Sequence, residues 1–225
     1  MQRIVLRFRK GIAAGALSHS DLRACLQRAA DQSRLLLAEN RRSLLLCPPL
    51  PPGATSEAEQ SVLELLEPND PSEVARLLNM YLPDGIFIEG AWIARPGFAD
   101  ENPSSLDMAV YDVHWPATAP AAIWQAAIRQ FLDAVEVSFT RVRETKTQQL
   151  NARALVYDLA PLANLDEMRG LRMTVSVGPQ GTIRPEEVLT LLGDPSSPET
   201  VHTHRVALLR SVWRRPSAQK QHRPQ

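Results

Sequence analysis

Leu17-Ser18-His19-Ser20-Asp21-Leu22 stands where an alternating sequence pattern gives way to a helical one. Before it, Ile4, Leu6 and Phe8 alternate with Val5, Arg7 and Arg9, the period of a half-buried strand. After it, Leu22, Cys25, Leu26 and Ala29 recur at i, i+3, i+4 and i+7, one face of a helix. Ser20 is placed to accept from the orphan N–H groups of the first turn, and the helix dipole favours Asp21 there. One reading is a capped helix with a solvated His19. The other is that Ser18, His19 and Asp21 mark a helix start facing an anion such as phosphate.

Working outward, the apolar runs at 34–37 and 44–47 read as strand material. The proline segment 48–52 cannot donate to a sheet ladder and reads as a loop or extended edge. Residues 60–66 form a further strand. Asp70-Pro71-Ser72-Glu73 offers an N-cap, a proline at N1 and a carboxylate at N3, ahead of Val74, Leu77, Leu78, Tyr81 and Leu82. Residues 86–93 resume extended structure. The order βαββαβ is the ferredoxin-like pattern.

Residues 94–106 gather Pro, Gly and Ser without apolar period and read as a linker. The same grammar then repeats. A strand closes at Trp115-Pro116 and a helix carries Ile123, Ala127, Ile128, Phe131 and Leu132. Runs 137–142 and 149–157 form a hairpin, followed by a strand at 171–177, a short helix at 184–192 and a last strand at 201–211. Val177-Gly178-Pro179-Gln180-Gly181-Thr182-Ile183-Arg184-Pro185-Glu186-Glu187 supplies a glycine turn, then a proline and two glutamates for a helix start. The expected architecture is α+β. Tandem ferredoxin-like halves with antiparallel sheets span 1–93 and 107–216, ahead of a disordered tail at 217–225.

Composition narrows the function classes. The 225 residues are 44% hydrophobic and 22% charged, as in a globular chain. No apolar run approaches the roughly 20 residues that span a bilayer, and the N-terminus lacks a signal-peptide core, so a cytoplasmic location is expected. The net charge is zero but unevenly spread: residues 1–42 carry +6 and residues 43–112 carry −10. A neutral total argues against indiscriminate nucleic-acid binding. A basic face assembled from Arg7, Arg9, Arg41, Arg42, Arg153 and Arg205 would still contact RNA phosphates.

Four stretches and one arginine together resemble the bacterial radical-SAM-linked family, a domain fused to, or encoded beside, radical SAM proteins. They are the opening strand, 17–22, 49–59, 178–189 and Arg205, in the family's order from about Arg3 to about Leu209. The resemblance implies a radical SAM protein as partner and a substrate, RNA or another, presented to it. The family's Gly-Phe-Asn-Pro-His-Pro loop is missing, with only 38–43 in its place, and the basic hairpin motif keeps only Arg153. The chain thus reads as a diverged member.

No catalytic constellation emerges from the residues. His19 and Asp21 are too short an array for a triad, and no Gly-x-Ser-x-Gly elbow is present. His202-Thr203-His204 places two imidazoles on one strand face, too few for a metal site. Three cysteines in Cys-x-x-x-Cys-x-x-Cys spacing, which a radical SAM cluster requires, are absent; neither cofactor nor metal is expected. The leading expectation is a non-catalytic accessory module. The alternatives are a RAMP-like endoribonuclease with His19 as base, by fold analogy, and a structural or assembly subunit.

Overall fold

The computed structural model describes residues 1–40, 43–95, 102–116, 121–143, 146–165, 168–178, 181–194 and 200–211. The centre of the expected linker (96–101), the pair Arg41 and Arg42, and the expected tail (217–225) lie outside the described residues.

Among the described residues the first half runs β1 (Gln2–Lys10), α1 (His19–Gln32), β2 (Leu44–Leu46), β3 (Thr55–Leu65), α2 (Pro71–Asn79) and β4 (Ile86–Ile93). The second runs β5 (Met108–Pro116), α3 (Ala121–Asp133), β6 (Ser138–Arg143), β7 (Lys146–Asn151), β8 (Val156–Leu165), β9 (Met168–Ser176), α4 (Pro185–Leu191) and β10 (His202–Leu209). The chain is a mixed α+β fold on a mostly antiparallel sheet. Its strands are ordered β4-β1-β3-β10-β5-β9-β8, and β2 pairs with the far end of β3.

The expected halves do not form separate sheets. They join edge to edge through a parallel contact of two residue pairs, His204 with Thr55 and Arg205 with Ser56. Strands from the two halves do not interleave. Sequence periodicity registers each half because each buries its own apolar stripe. It carries no signal for a seam this short.

Each half has its own core. Ile4, Leu6 and Phe8 of β1 and Leu63 and Leu65 of β3 meet Leu22 and Leu26 of α1 and Val74 and Leu78 of α2. Tyr111, Val113 and Trp115 of β5 meet Trp124, Ile128 and Phe131 of α3 and Val188 and Leu189 of α4. The helices therefore cover one sheet face, and Arg7 and Arg9 alternate onto the other.

Local signals mostly behave as the sequence implies. Asp70 accepts from the N–H groups of Ser72 (2.9 Å) and Glu73 (3.1 Å), with Pro71 in the first turn of α2. The cap of α1 is a correction: it is Ser18, not Ser20. Ser18 Oγ accepts from the Asp21 N–H (3.2 Å), while the Asp21 carboxylate accepts from the Ser18 N–H (3.0 Å). The reciprocal arrangement is a capping box with Asp in the Glu position.

A second correction is β8, which the sequence reading merged with the end of the hairpin. The 3-10 turn Ala152–Leu155 separates β7 from β8, so β6 and β7 stand apart as a two-stranded ribbon. β3 also begins five residues earlier than the alternation suggests, at Thr55.

Both outer edges of the sheet are blunted against lateral growth. On β4, the Asn79 side chain donates to the Ile88 carbonyl (2.9 Å) and accepts from the Ile88 N–H (2.8 Å). On β8, Pro161 removes a donor.

Candidate binding cleft at the seam

Arg205 of β10 is fully buried at the seam. A guanidinium has five N–H donors and no acceptor, and all five are engaged within the chain. Nη1 donates to Glu59 Oε1 (2.8 Å) and the Pro48 carbonyl (3.1 Å). Nη2 donates to the Pro49 carbonyl (2.8 Å) and the Tyr111 hydroxyl (2.8 Å), and Nε to the same hydroxyl (3.2 Å). One side chain thus pins a strand of each half and the proline segment between β2 and β3. Burial alone would lower the Arg205 pKa; the charge of Glu59, then Tyr111 and Cys47, outweighs it and holds the guanidinium protonated.

Further polar groups surround this pin. Cys47 Sγ donates to Glu59 Oε2 (3.2 Å). Burial, then the Glu59 charge, pushes its thiol well above the ordinary value, so it stays a neutral donor. Lys10, 3% exposed, donates from Nζ to the carbonyls of Gly15 (3.1 Å) and Leu17 (3.0 Å), fixing the turn into α1. Burial lowers its pKa, Glu59 pulls it back up, and Arg205 lowers it further. His19 is exposed to solvent, yet partial burial lowers its pKa, opposed by the field of Glu59 and reinforced by Arg23 and Arg205.

Over the Arg205 pin lies a cleft of about 390 Å³. One wall is the proline segment 48–52; the other is Gly178 and Thr182–Pro185, with Tyr111 between them. The second wall is stiffened from within. Thr182 Oγ1 accepts from the Gly178 N–H (3.0 Å), and a side chain at Gly181 (φ +142°) would collide with Leu155. Arg141 of β6 clamps the same wall, donating to both Glu187 oxygens (2.7 and 2.6 Å) and to the Thr182 carbonyl (2.8 Å). Glu187 also accepts from the Arg184 N–H (2.8 Å). The cleft offers apolar walls, a phenol at its base and the exposed Arg184 at its rim. It contains no nucleophile paired with a base.

Of the basic residues singled out from sequence, the four that are described, Arg7, Arg9, Arg153 and Arg205, do not share one face. Arg205 is sealed inside. Arg153 donates to the carbonyls of Leu132 (3.0 Å) and Val156 (2.8 Å). Arg9 lies over the Phe87 ring at 5.2 Å, and Arg7 lines a shallow depression of the uncovered sheet face beside Glu57 and Glu89. Ser18 and Asp21 are occupied with each other in the capping box. His204 Nδ1 pairs with Thr55 Oγ1 (2.7 Å), and among the described residues no group of three or more His, Cys, Asp or Glu could hold a metal ion. No helix among them is long and apolar enough to cross a membrane.

Residues 3–185 match the model of the family described as "Uncharacterized protein conserved in bacteria (DUF2344)". The chain belongs to this bacterial family. A comparison with curated proteins gives no match. Among solved structures, this DUF2344 chain is similar to a chain of a Cbf5-Nop10-Gar1 complex, with 11% identity and a TM-score of 0.48 over 91% of this chain and 48% of that one. It is also similar to a chain of the archaeal box H/ACA sRNP Nop10-Cbf5 complex, with 13% identity and a TM-score of 0.44 over 90% and 46%. The DUF2344 chain spans about half the length of these matched chains. At this identity and TM-score the likenesses carry no function across.

Sequence reading missed Glu59, Tyr111, Lys10 and Arg141 as parts of this region. Glu59 and Lys10 carry one usable signal: each is a charged residue at an inward position of an alternating strand. The partners of Arg141 lie more than forty positions away, and nothing local announces them.

Proposed function

We propose that the chain is a non-catalytic accessory module whose seam cleft presents RNA or another substrate to a radical SAM enzyme. The observation that carries this reading is convergence. Segments 49–59 and 178–189, which support the family resemblance, each contribute to a cleft wall, the first through 49–52 and the second through Gly178 and 182–185, and Arg205 pins the first of them. The opening strand and the 17–22 turn are tied in beneath by Lys10. Side chains capable of acid–base chemistry are committed to internal bonds there, which favours holding over reacting. In the same reading, residues 1–93 and 107–216 are ferredoxin-like units linked by 94–106. The strand orders β4-β1-β3-β2 and β10-β5-β9-β8 support it, with the β6–β7 ribbon as an insertion in the second unit.

The test is reconstitution with a radical SAM protein, the partner class this reading calls for, scored for complex formation and for RNA binding at low and high salt. Arg184→Glu and Pro51→Glu, on opposite walls, should each weaken association while leaving the thermal transition in place. RNA binding, if phosphates are contacted, should fall steeply as salt rises. Association unaffected by both variants would remove the cleft from consideration. RNA cleavage lost on His19→Ala would replace this reading by the endoribonuclease one.

A further inference from the structure

A separate cavity of about 310 Å³ lies at the outer edge of the second half, between α3 and the edge strand β8. Its walls include Trp115, Trp124, Ile128 and Leu162, and its polar groups are supplied by Gln125 and Arg169. Two of the chain's four tryptophans therefore face one space. Their rings sit 4.8 Å apart, tilted by 55°. Trp115 is fixed in that pose, because its indole N–H donates to Asp194 Oδ2 (2.7 Å). The Arg169 guanidinium lies 5.8 Å from the Trp124 ring centre.

The backbone is shaped to keep this wall close. A side chain at Gly170 would approach Leu162 Cβ to 2.9 Å and the Ala163 carbonyl to 3.0 Å, so only glycine lets β8 draw in. The β8–β9 register also slips between Leu162 and Leu165 beside the cavity. Such irregularities gather next to functional sites, where they re-aim the chain.

The chemistry of the walls defines the occupant. The volume is at the lower end for small-ligand sites, about 300 Å³, which suits one ring system. Aromatic walls favour a planar partner through stacked or edge-to-face contact. The polar groups of the walls are the Arg169 guanidinium, which can only donate, and the Gln125 amide. A matching ring must carry acceptors on its edge.

We propose that this cavity binds a single planar heteroaromatic ring with carbonyl acceptors, a nucleobase of the uracil type. Such a base comes either from a free nucleoside or from an unpaired position in RNA. The inference does not rest on the seam cleft or its reading.

The test uses the full chain and follows the tryptophan indole N–H resonances by heteronuclear NMR during titration. The probes are uridine, a short oligouridylate, and cyclohexanol as a non-aromatic ring. Saturable shifts of Trp115 and Trp124, with Trp92 on β4 unmoved, are expected from uridine or the oligouridylate. Response to both or to the oligouridylate alone assigns RNA as a source; response to uridine alone assigns the free nucleoside. Arg169→Met should weaken binding about tenfold through loss of a charge-assisted hydrogen bond. Gln125→Ala, at an exposed position, provides a second variant should Arg169→Met fold poorly. The proposal is overturned by any one of three results. These are no saturable shift with either nucleobase probe, equal shifts with cyclohexanol, or affinity unchanged in every variant that folds.

Discussion

The junctions inside each half and the junction between the halves are held by different physics. Within the halves, β1 pairs with β3 and β5 with β9 along nearly their whole length, over apolar cores sealed by helices. At the seam, β3 and β10 share two residue pairs, and the adhesive is a buried guanidinium whose five hydrogen bonds end on four internal acceptors. An apolar core tolerates approximate shape, whereas an ion pair in low dielectric is favourable only when every donor and lone pair is met. The seam therefore specifies one relative placement of the halves, at the expense of sensitivity to any single missing partner.

The largest expected effect follows directly. Arg205→Ala leaves Glu59 charged, buried and without its cation, a loss of roughly 3–5 kcal/mol. That matches or exceeds a core truncation such as Leu26→Ala, at about 2–5 kcal/mol. Chemical denaturation of the two variants compares them. The double substitution Arg205→Met with Glu59→Leu should recover much of the loss, since an apolar pair carries no desolvation cost. A double variant no more stable than Arg205→Ala would mean that the proline segment, not the ion pair, holds the seam.

The clamp on the cleft wall should come next. Arg141 and Glu187 are largely buried, with side chains 10% and 15% exposed, and are joined by two short bonds. Arg141→Ala should cost about 1.5–3 kcal/mol, the usual range for hydrogen bonds to charged groups. It should also speed amide exchange in the β6–β7 ribbon and in 181–187 while leaving β1–β4 protected. Uniform loss of protection across both halves would show that the ribbon is not a local attachment.

Alkaline pH separates the two kinds of junction again. The Cys47 thiol has an ordinary pKa of 9.0 and a higher one in the fold, because of burial and then Glu59. Tyr111 likewise rises above its ordinary 10.0, through burial first, with Arg205 opposing. In both cases the unfolded chain releases its proton first. The stabilisation is complete below the unfolded pKa and is lost as pH climbs toward the folded one. Lys10 works the other way, since its folded pKa is lowered. Stability should decline above pH 9.0 in the native chain and decline less in Cys47→Ala. Identical profiles for the two proteins would remove the thiol from the seam's electrostatics.

How much of this was legible from sequence depends on range. The α2 start, the presence of α1 (though not its cap, Ser18 in place of Ser20), the βαββαβ order of the first half and the glycine turn before α4 rest on neighbours within a few positions. The sequence states such signals openly. β8 escaped because its run is continuous with β7 save for one 3-10 turn, and alternation does not mark that break. The candidate site was only half visible. Segments 49–59 and 178–189 stood out as text, but their meeting depends on Arg205, which lies 146 positions from Glu59 and 94 from Tyr111. Listing arginines as a phosphate surface assumed exposure, and burial of Arg205 is a property of the whole sheet.

The smallest effect tests the most local of these signals, the entry to α1. Ser18 and Asp21 satisfy each other's backbone N–H groups, so Ser18→Ala removes a cap and should cost about 1 kcal/mol. Ser20 touches the box only through its hydroxyl contact with Ser18 Oγ (2.8 Å), and Ser20→Ala should stay within roughly ±0.5 kcal/mol. His19→Ala should fall in the same narrow range, because the imidazole is solvent-exposed and neither backbone hydrogen bond of the capping box involves it. Thermal denaturation of the three variants at neutral pH ranks them. A larger loss for Ser20→Ala than for Ser18→Ala would restore Ser20 as the cap. A loss above 1 kcal/mol for His19→Ala would instead tie the imidazole to the buried seam, whose charges already reach its pKa.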